Sequence, residues 1–295
     1  MSPYLAVILV LQTARLALHV VVELLNLRHI SPALPPEFQD VFDAERYRRA
    51  QAYLRDTTTF ELAVETLFTA FAIAFLLAGG FDAVDHLARA LGPTPLATGL
   101  IFCALLGLGR FLLRIPFAAH RTFVIEQRYG FNRTTWPTFW LDRLKALLLG
   151  AIVGGVALAA VLWCFQRLGA AAWLYAWLAV TAFELFVVFV SPVVILPLFN
   201  RFTPLEAGPL RTAIEDLARA QRFRIRDIFT MDGSRRSAKS NAFFTGFGRF
   251  RRIALFDTLI ARHTLPEILA VLAHEIGHYK GRHVLKHVLF EVAVN

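Results

Sequence analysis

The sequence has 295 residues, 57% of them hydrophobic, with a mean hydropathy of +0.53 and a formal net charge of +9. That is too apolar for an ordinary soluble domain. The charge does not mark a nucleic-acid binder, because the basic residues are spread over loops between apolar stretches, a pattern the positive-inside rule explains better.

Five stretches are long enough to cross a bilayer, at about twenty residues each. They run approximately Tyr4–Leu25, Phe60–Gly79, Leu96–Phe117, Ala146–Phe165 and Ala171–Leu198. The first carries Gln12, Arg15, His19 and Glu23, three to four residues apart on one helical face. It lacks a small-residue cleavage site, so it reads as a retained helix and not a signal peptide. Cys103 and Cys164 both fall in apolar runs and read as buried small hydrophobes, not a disulfide framework.

Loop charges orient the chain. Arg28, Arg46, Arg48, Arg49 and Arg55 lie between the first and second spans. Arg121, Arg128, Arg133, Arg143 and Lys145 lie between the third and fourth. The other two loops carry one arginine each, Arg89 and Arg167. This alternation puts the N-terminus outside and everything after the fifth span in the cytoplasm.

Residues Glu37 to Leu54 read as an amphipathic helix, lying on the membrane or acting as a plain soluble connector. Charged groups within spans are costly in lipid, so Arg15, His19, Glu23, Glu61, Glu65 and Glu184 are expected to face inward. They either pair across helices or line a hydrated chamber.

From Asn200 the composition becomes soluble-like. Leu210, Ile214, Leu217 and Ala218 form a helical apolar stripe. Asp227 to Met231 reads as a strand ended by Asp232-Gly233. Asn241–Thr245 and Arg252–Phe256 read as a hairpin turning around Gly246-Phe247-Gly248, giving a small antiparallel sheet. Asn241, Ala242, Phe243 and Phe244 are nominated as an exposed edge that takes an extended peptide as an extra strand. The alternative is that this strand simply packs on the core.

Next, Thr264-Leu265-Pro266-Glu267 forms a capping box with proline in the first turn. Ile268, Leu269, Val271, Leu272 and Ile276 give the helix its apolar face, and Gly281 a stop. This helix carries His274-Glu275-Ile276-Gly277-His278. Histidines four apart lie one turn apart on one face and can reach one metal ion. Glu275 sits about 100° further round, beside the metal's open position. This H-E-x-x-H arrangement provides two zinc ligands, His274 and His278, and a general base, Glu275, for water attack on a carbonyl.

The expected fold is therefore mainly α: a multi-span helical bundle in the membrane with a small cytoplasmic α+β zincin-type domain. The expected domains are a five-helix membrane domain at 1–199, a zinc metalloprotease domain at 200–283, and the start of a sixth transmembrane helix at 284–295.

Several separated stretches resemble the type 1 CAAX prenyl proteases, integral-membrane zinc metalloproteases. They are Phe123-Val124-Ile125-Glu126 with Tyr129-Gly130-Phe131-Asn132, and Pro197-Leu198-Phe199-Asn200 with Phe202-Thr203-Pro204-Leu205. Arg236 to Phe244 and Ile253 to Leu259 follow in the same order. The resemblance implies seven membrane helices around a water-filled chamber, with one Zn2+ per chain. It implies His274 and His278 as ligands, Glu275 as the catalytic glutamate, and Asn241 and Ala242 on the strand that holds substrate. The implied activity removes the C-terminal tripeptide after a prenylated cysteine. The partners would be a prenylated or membrane-associated peptide and the lipid bilayer, with no nucleic acid.

One departure matters. The third zinc ligand of that family is a glutamate on a helix well downstream, and this sequence stops at Asn295. If the helix continued, His283 would lie about 140° off the ligand face and His287 about 180° from His278. Glu291 is off-face too. The expectation is a truncated form that binds zinc weakly and cleaves poorly or not at all. Two other readings stay open: a membrane quality-control metalloprotease of the heat-shock type, and a catalytically inert membrane scaffold. The Ala-, Arg- and Leu-rich style suggests a bacterial inner membrane.

Overall fold

The computed structural model describes residues 3–245 and 252–294. The turn expected around Gly246-Phe247-Gly248 lies outside the described residues, as do the side chains of Thr245, Val284 and residues 291–294. Two compact units divide the chain, residues 1–130 and 131–295.

In the first unit α1 spans Pro3–His29, α2 Ala44–Leu77, α3 Gly80–Leu91 and α4 Pro95–His120, with α4 continuing through widened π-helical turns to Glu126. No glycine or proline interrupts the chain from Ala44 to Leu77, so α2 runs for 34 residues until Gly79 stops it. At ~1.5 Å per residue that exceeds the ~30 Å hydrocarbon layer. The expected amphipathic helix at Glu37–Leu54 is therefore not a separate element. Its start is a single 3-10 turn, Pro36–Phe38, and its end is the first part of α2, capped by Asp43 accepting from the Arg46 amide at 2.8 Å.

Pairing accounts for several of the charges within spans. Arg15 on α1 meets Glu65 on α2 at 2.5 Å, and Arg121 meets Glu61 at 2.7 Å. Arg114, a charge in the third span that the sequence reading passed over, lies over the Phe68 ring, 5.4 Å from its centroid. Asp56 accepts from Arg128 at 2.7 Å and from the Tyr129 hydroxyl at 2.8 Å. Burial first, and this bond second, push the Tyr129 phenol above its usual pKa.

The second unit opens with α5 (Trp136–Arg167) and α6 (Ala172–Val190), followed by a π-helical stretch at Ser191–Ile195 and α7 (Leu196–Phe199). Among the described residues, five helical segments are long and apolar enough to cross a membrane, and they lie where the hydropathy of the sequence put them.

The remainder is a four-stranded sheet with helices: β1 (Phe202–Pro204), α8 (Pro209–Ala220), β2 (Asp227–Met231), β3 (Ala242–Thr245), β4 (Arg252–Phe256), α9 (Asp257–Arg262), α10 (Leu265–Lys280) and α11 (His283–Val294). The strand order is β1-β2-β4-β3. The sheet is mixed and not antiparallel throughout, because β2 and β4 pair in parallel, with Ile228 opposite Ile253 and Thr230 opposite Leu255. The β3–β4 hairpin turns β4 back alongside β2, and this makes β4 a central strand. Ile253, Ala254 and Leu255 are accordingly buried in succession, as central parallel strands require. Ile214, Ile228, Ile253, Leu255, Ile268 and Leu272 form the core between the sheet and helices α8 and α10.

The segment between β2 and β3 is held by Arg236. Its guanidinium binds Asp142 through two bonds, at 2.7 and 2.8 Å, and reaches Asn200 at 3.2 Å. The hydrogen bond it donates to Asp142 keeps Arg236 even more firmly protonated than usual. Lysine has no planar fork to match a carboxylate. Arg236→Lys is therefore expected to lower stability by roughly 1–3 kcal/mol. A double-mutant cycle with Asp142→Asn, read by thermal unfolding, checks this; additive effects would show the pair uncoupled.

Candidate metal centre

The helix α10 begins as the capping box specified. The Thr264 amide and hydroxyl both donate to one Glu267 carboxylate oxygen, at 2.7 and 2.8 Å, and these bonds hold the Glu267 carboxyl below its usual pKa. Ile268, Leu272 and Ile276, four apart, are buried against the sheet domain. That fixes the rotation of the helix, so the other face, with His274 and His278, lies exposed and Glu275 is half-buried between the two faces.

The two imidazoles converge. Their Nε2 atoms lie 3.1 Å apart. Two nitrogens bound to one tetrahedral zinc at ~2.0–2.1 Å would stand about 3.3 Å apart. The pair therefore fits a zinc ion through Nε2 with little adjustment. Among the described residues no group of three His, Cys, Asp or Glu side chains gathers as a metal site. His283 does not complete it: its Nδ1 lies 2.9 Å from Nδ1 of His278, the nitrogen turned away from His274. The Glu291 side chain lies outside the described residues.

A cleft of about 800 Å³ opens beside the pair. Glu275, His278, His283 and His287 line one side, and Phe183, Glu184, Leu185, Val187 and Val188 of α6 the other. Glu275 and His278 thus face a cleft whose lining is largely apolar. Glu184, a charged group inside the fifth span, is part of it.

The nominated strand is an edge strand. Among the described residues β3 pairs only with β4, and α10 packs against it. Ala242 is buried and Phe244 packs edge-on to Phe223, 4.8 Å between centroids, while Phe243 meets Phe256 at 6.2 Å. The side chains of this strand thus pack inward while its backbone forms an edge of the sheet. The Asn241 carbonyl accepts from the Phe256 amide at 3.0 Å. By the antiparallel alternation, residues 242 and 244 then turn their amides and carbonyls to the open side. Asn241 Oδ1 accepts from the Ala242 amide at 2.9 Å, so the side chain of Asn241 sits over one of those edge donors.

The sequence reading missed β1, too short to carry a pattern, and the Asp142–Arg236–Asn200 clamp, whose members are far apart in the chain. It also missed the return of His283 to His278.

Comparison with known proteins places these features. A model described as the CAAX prenyl protease N-terminal domain with five membrane helices matches residues 23–201, and a model of peptidase family M48 matches residues 204–295. The probable CAAX prenyl protease 1 of Schizosaccharomyces pombe is 36% identical over 282 residues, covering 91% of this chain and 59% of that protein. The CAAX prenyl protease 1 of Saccharomyces cerevisiae is 34% identical over 268 residues, covering 87% and 59%. The chain thus spans about three fifths of the length of these curated relatives. The crystal structure of S. mikatae Ste24p superposes with a TM-score of 0.92 at 32% identity, over 99% of this chain and 71% of that one.

Proposed function

The chain belongs to the CAAX prenyl protease family of M48 peptidases, and from that premise we propose that it is a membrane-embedded zinc endopeptidase that removes the C-terminal tripeptide from prenylated proteins. The observation that carries the reading is the convergence of the His274 and His278 Nε2 atoms, 3.1 Å apart, next to a cleft lined by Glu275.

In this mechanism His274 and His278 would hold Zn2+, which when bound would supply Lewis acidity for the scissile carbonyl and for water. Glu275 does the proton work: its carboxylate takes the proton of the attacking water and returns it to the nitrogen of the leaving tripeptide. The β3 edge, through the outward backbone groups of residues 242 and 244, aligns the substrate as an added strand. Asn241 swings from the Ala242 amide to admit it. Phe183, Leu185, Val187 and Val188 keep the cleft dry and give the prenyl chain an apolar wall, where each buried CH2 contributes about 0.8 kcal/mol.

The same reading puts the N-terminus outside, the zinc domain in the cytoplasm, and the whole in a bacterial inner membrane. It assigns 1–199 to the membrane, 200–283 to the zinc domain and 284–295 to a sixth span. The test is mass analysis of a farnesylated CAAX peptide incubated with the full-length protein. Release of the intact tripeptide, stopped by a chelator and restored by zinc, is expected. Cleavage at other bonds, or cleavage indifferent to the chelator, would refute the assignment.

A further inference from the structure

We infer that His283 is a positioning residue for the metal site, holding His278 in the tautomer and ring orientation that present its Nε2 to the ion. This rests on the metal-site reading above and adds a residue to it.

The chain geometry makes the contact. α10 ends at Lys280, with the Gly281 amide bonded to the Gly277 carbonyl at 2.9 Å. Arg282 then adopts a left-handed conformation, φ 53°. There the helix breaks, and α11 starts at His283, whose ring lies against Gly281 at the end of α10. An unbroken helix would have carried the ring away from the ligand face; the turn brings it back.

The two nitrogens of His278 have separate neighbours. Nε2 faces Nε2 of His274 at 3.1 Å, and Nδ1 faces Nδ1 of His283 at 2.9 Å. A neutral imidazole carries one proton, and a ligating nitrogen carries none. With Nε2 committed to the metal, the proton of His278 sits on Nδ1 and is donated to Nδ1 of His283. His283 in turn carries its own proton on Nε2. Metal-ligating histidines commonly have such a partner on the far nitrogen, and losing it typically weakens metal binding by about 10–100-fold.

A second observation points the same way. A Cβ built on Gly281 would stand 2.5 Å from Nε2 of His283, with Cδ2 at 2.9 Å and Cε1 at 3.1 Å. The Nε2 end of the ring stands against the bare glycine. Gly281 is in the right-handed region, φ −69°, so alanine there strains no backbone and displaces only the ring.

The test measures zinc affinity of the full-length protein by chelator competition, with thermal unfolding recorded for each variant. His283→Leu and Gly281→Ala are expected to bind zinc about 10–100-fold more weakly than the parent. His283→Asn, whose Oδ1 can accept where Nδ1 did, is expected to stay within about threefold by keeping that hydrogen bond. If His283→Leu unfolds, Gly281→Ala carries the comparison, since it keeps the histidine and moves its ring. Parent-like affinity in both His283→Leu and Gly281→Ala would overturn the inference. So would an Asn variant as weak as the Leu variant, which would make the contact one of shape alone. A parent protein that binds no zinc, or whose zinc survives His274→Ala, would sink the metal-site reading itself, and the inference with it.

Discussion

Glu275→Gln is expected to lower peptide cleavage by roughly 10²–10⁴-fold, the share of a well-placed general base, while zinc stays bound. Glutamine keeps the shape of the side chain and removes its basicity. Glu275 lines the cleft and takes no part in the His274–His278 contact, so the substitution is expected to leave both Nε2 atoms in place. Zinc content and turnover, measured on the same preparation, separate these effects. Zinc lost together with activity would make Glu275 a structural part of the site; unchanged turnover would remove it from the chemistry.

The second large effect is on stability. Leu272 is fully buried, two positions before the first histidine, in the same core cluster as Leu255 and Ile253 of the sheet. Truncating such a side chain removes its burial and leaves a cavity, at about 2–5 kcal/mol. Leu272→Ala is therefore expected to loosen α10 from the sheet and to expose the domain to proteolysis well below the melting temperature of the parent. Leu272→Met, close in volume, should cost under about 1.5 kcal/mol. Equal protease resistance in the Ala variant and the parent would mean that α10 is held by something other than this core.

The order in which the sequence reveals its structure follows from the range of the interactions. The five apolar helices, the Thr264–Glu267 cap and the His274–His278 pair are all set by residues within one or two helical turns, and all are legible. The strands at 227–231 and 252–256 were legible by their apolar runs, but the parallel pairing between them was not, because it depends on how β3 returns the chain. The amphipathic pattern at Glu37–Leu54 described a face correctly and a boundary wrongly. Nothing in its periodicity says that the helix continues from Ala44 to Leu77. His283 shows the limit most clearly. Helical arithmetic sends it away from the ligand face, and only the positive φ of Arg282 and the bare Gly281 bring it back.

Dependence of cleavage on the lipid is decided by one paired measurement. The full-length protein is given two otherwise identical CAAX peptides, one farnesylated on cysteine and one not, with the Glu275→Gln protein as the blank. Cleavage of the farnesylated peptide alone is expected, at the bond after the cysteine, and none with the blank. Equal cleavage of both peptides at scattered sites would contradict it and point to membrane-protein quality control. Cleavage of neither by a zinc-loaded protein would contradict it in favour of an inert scaffold.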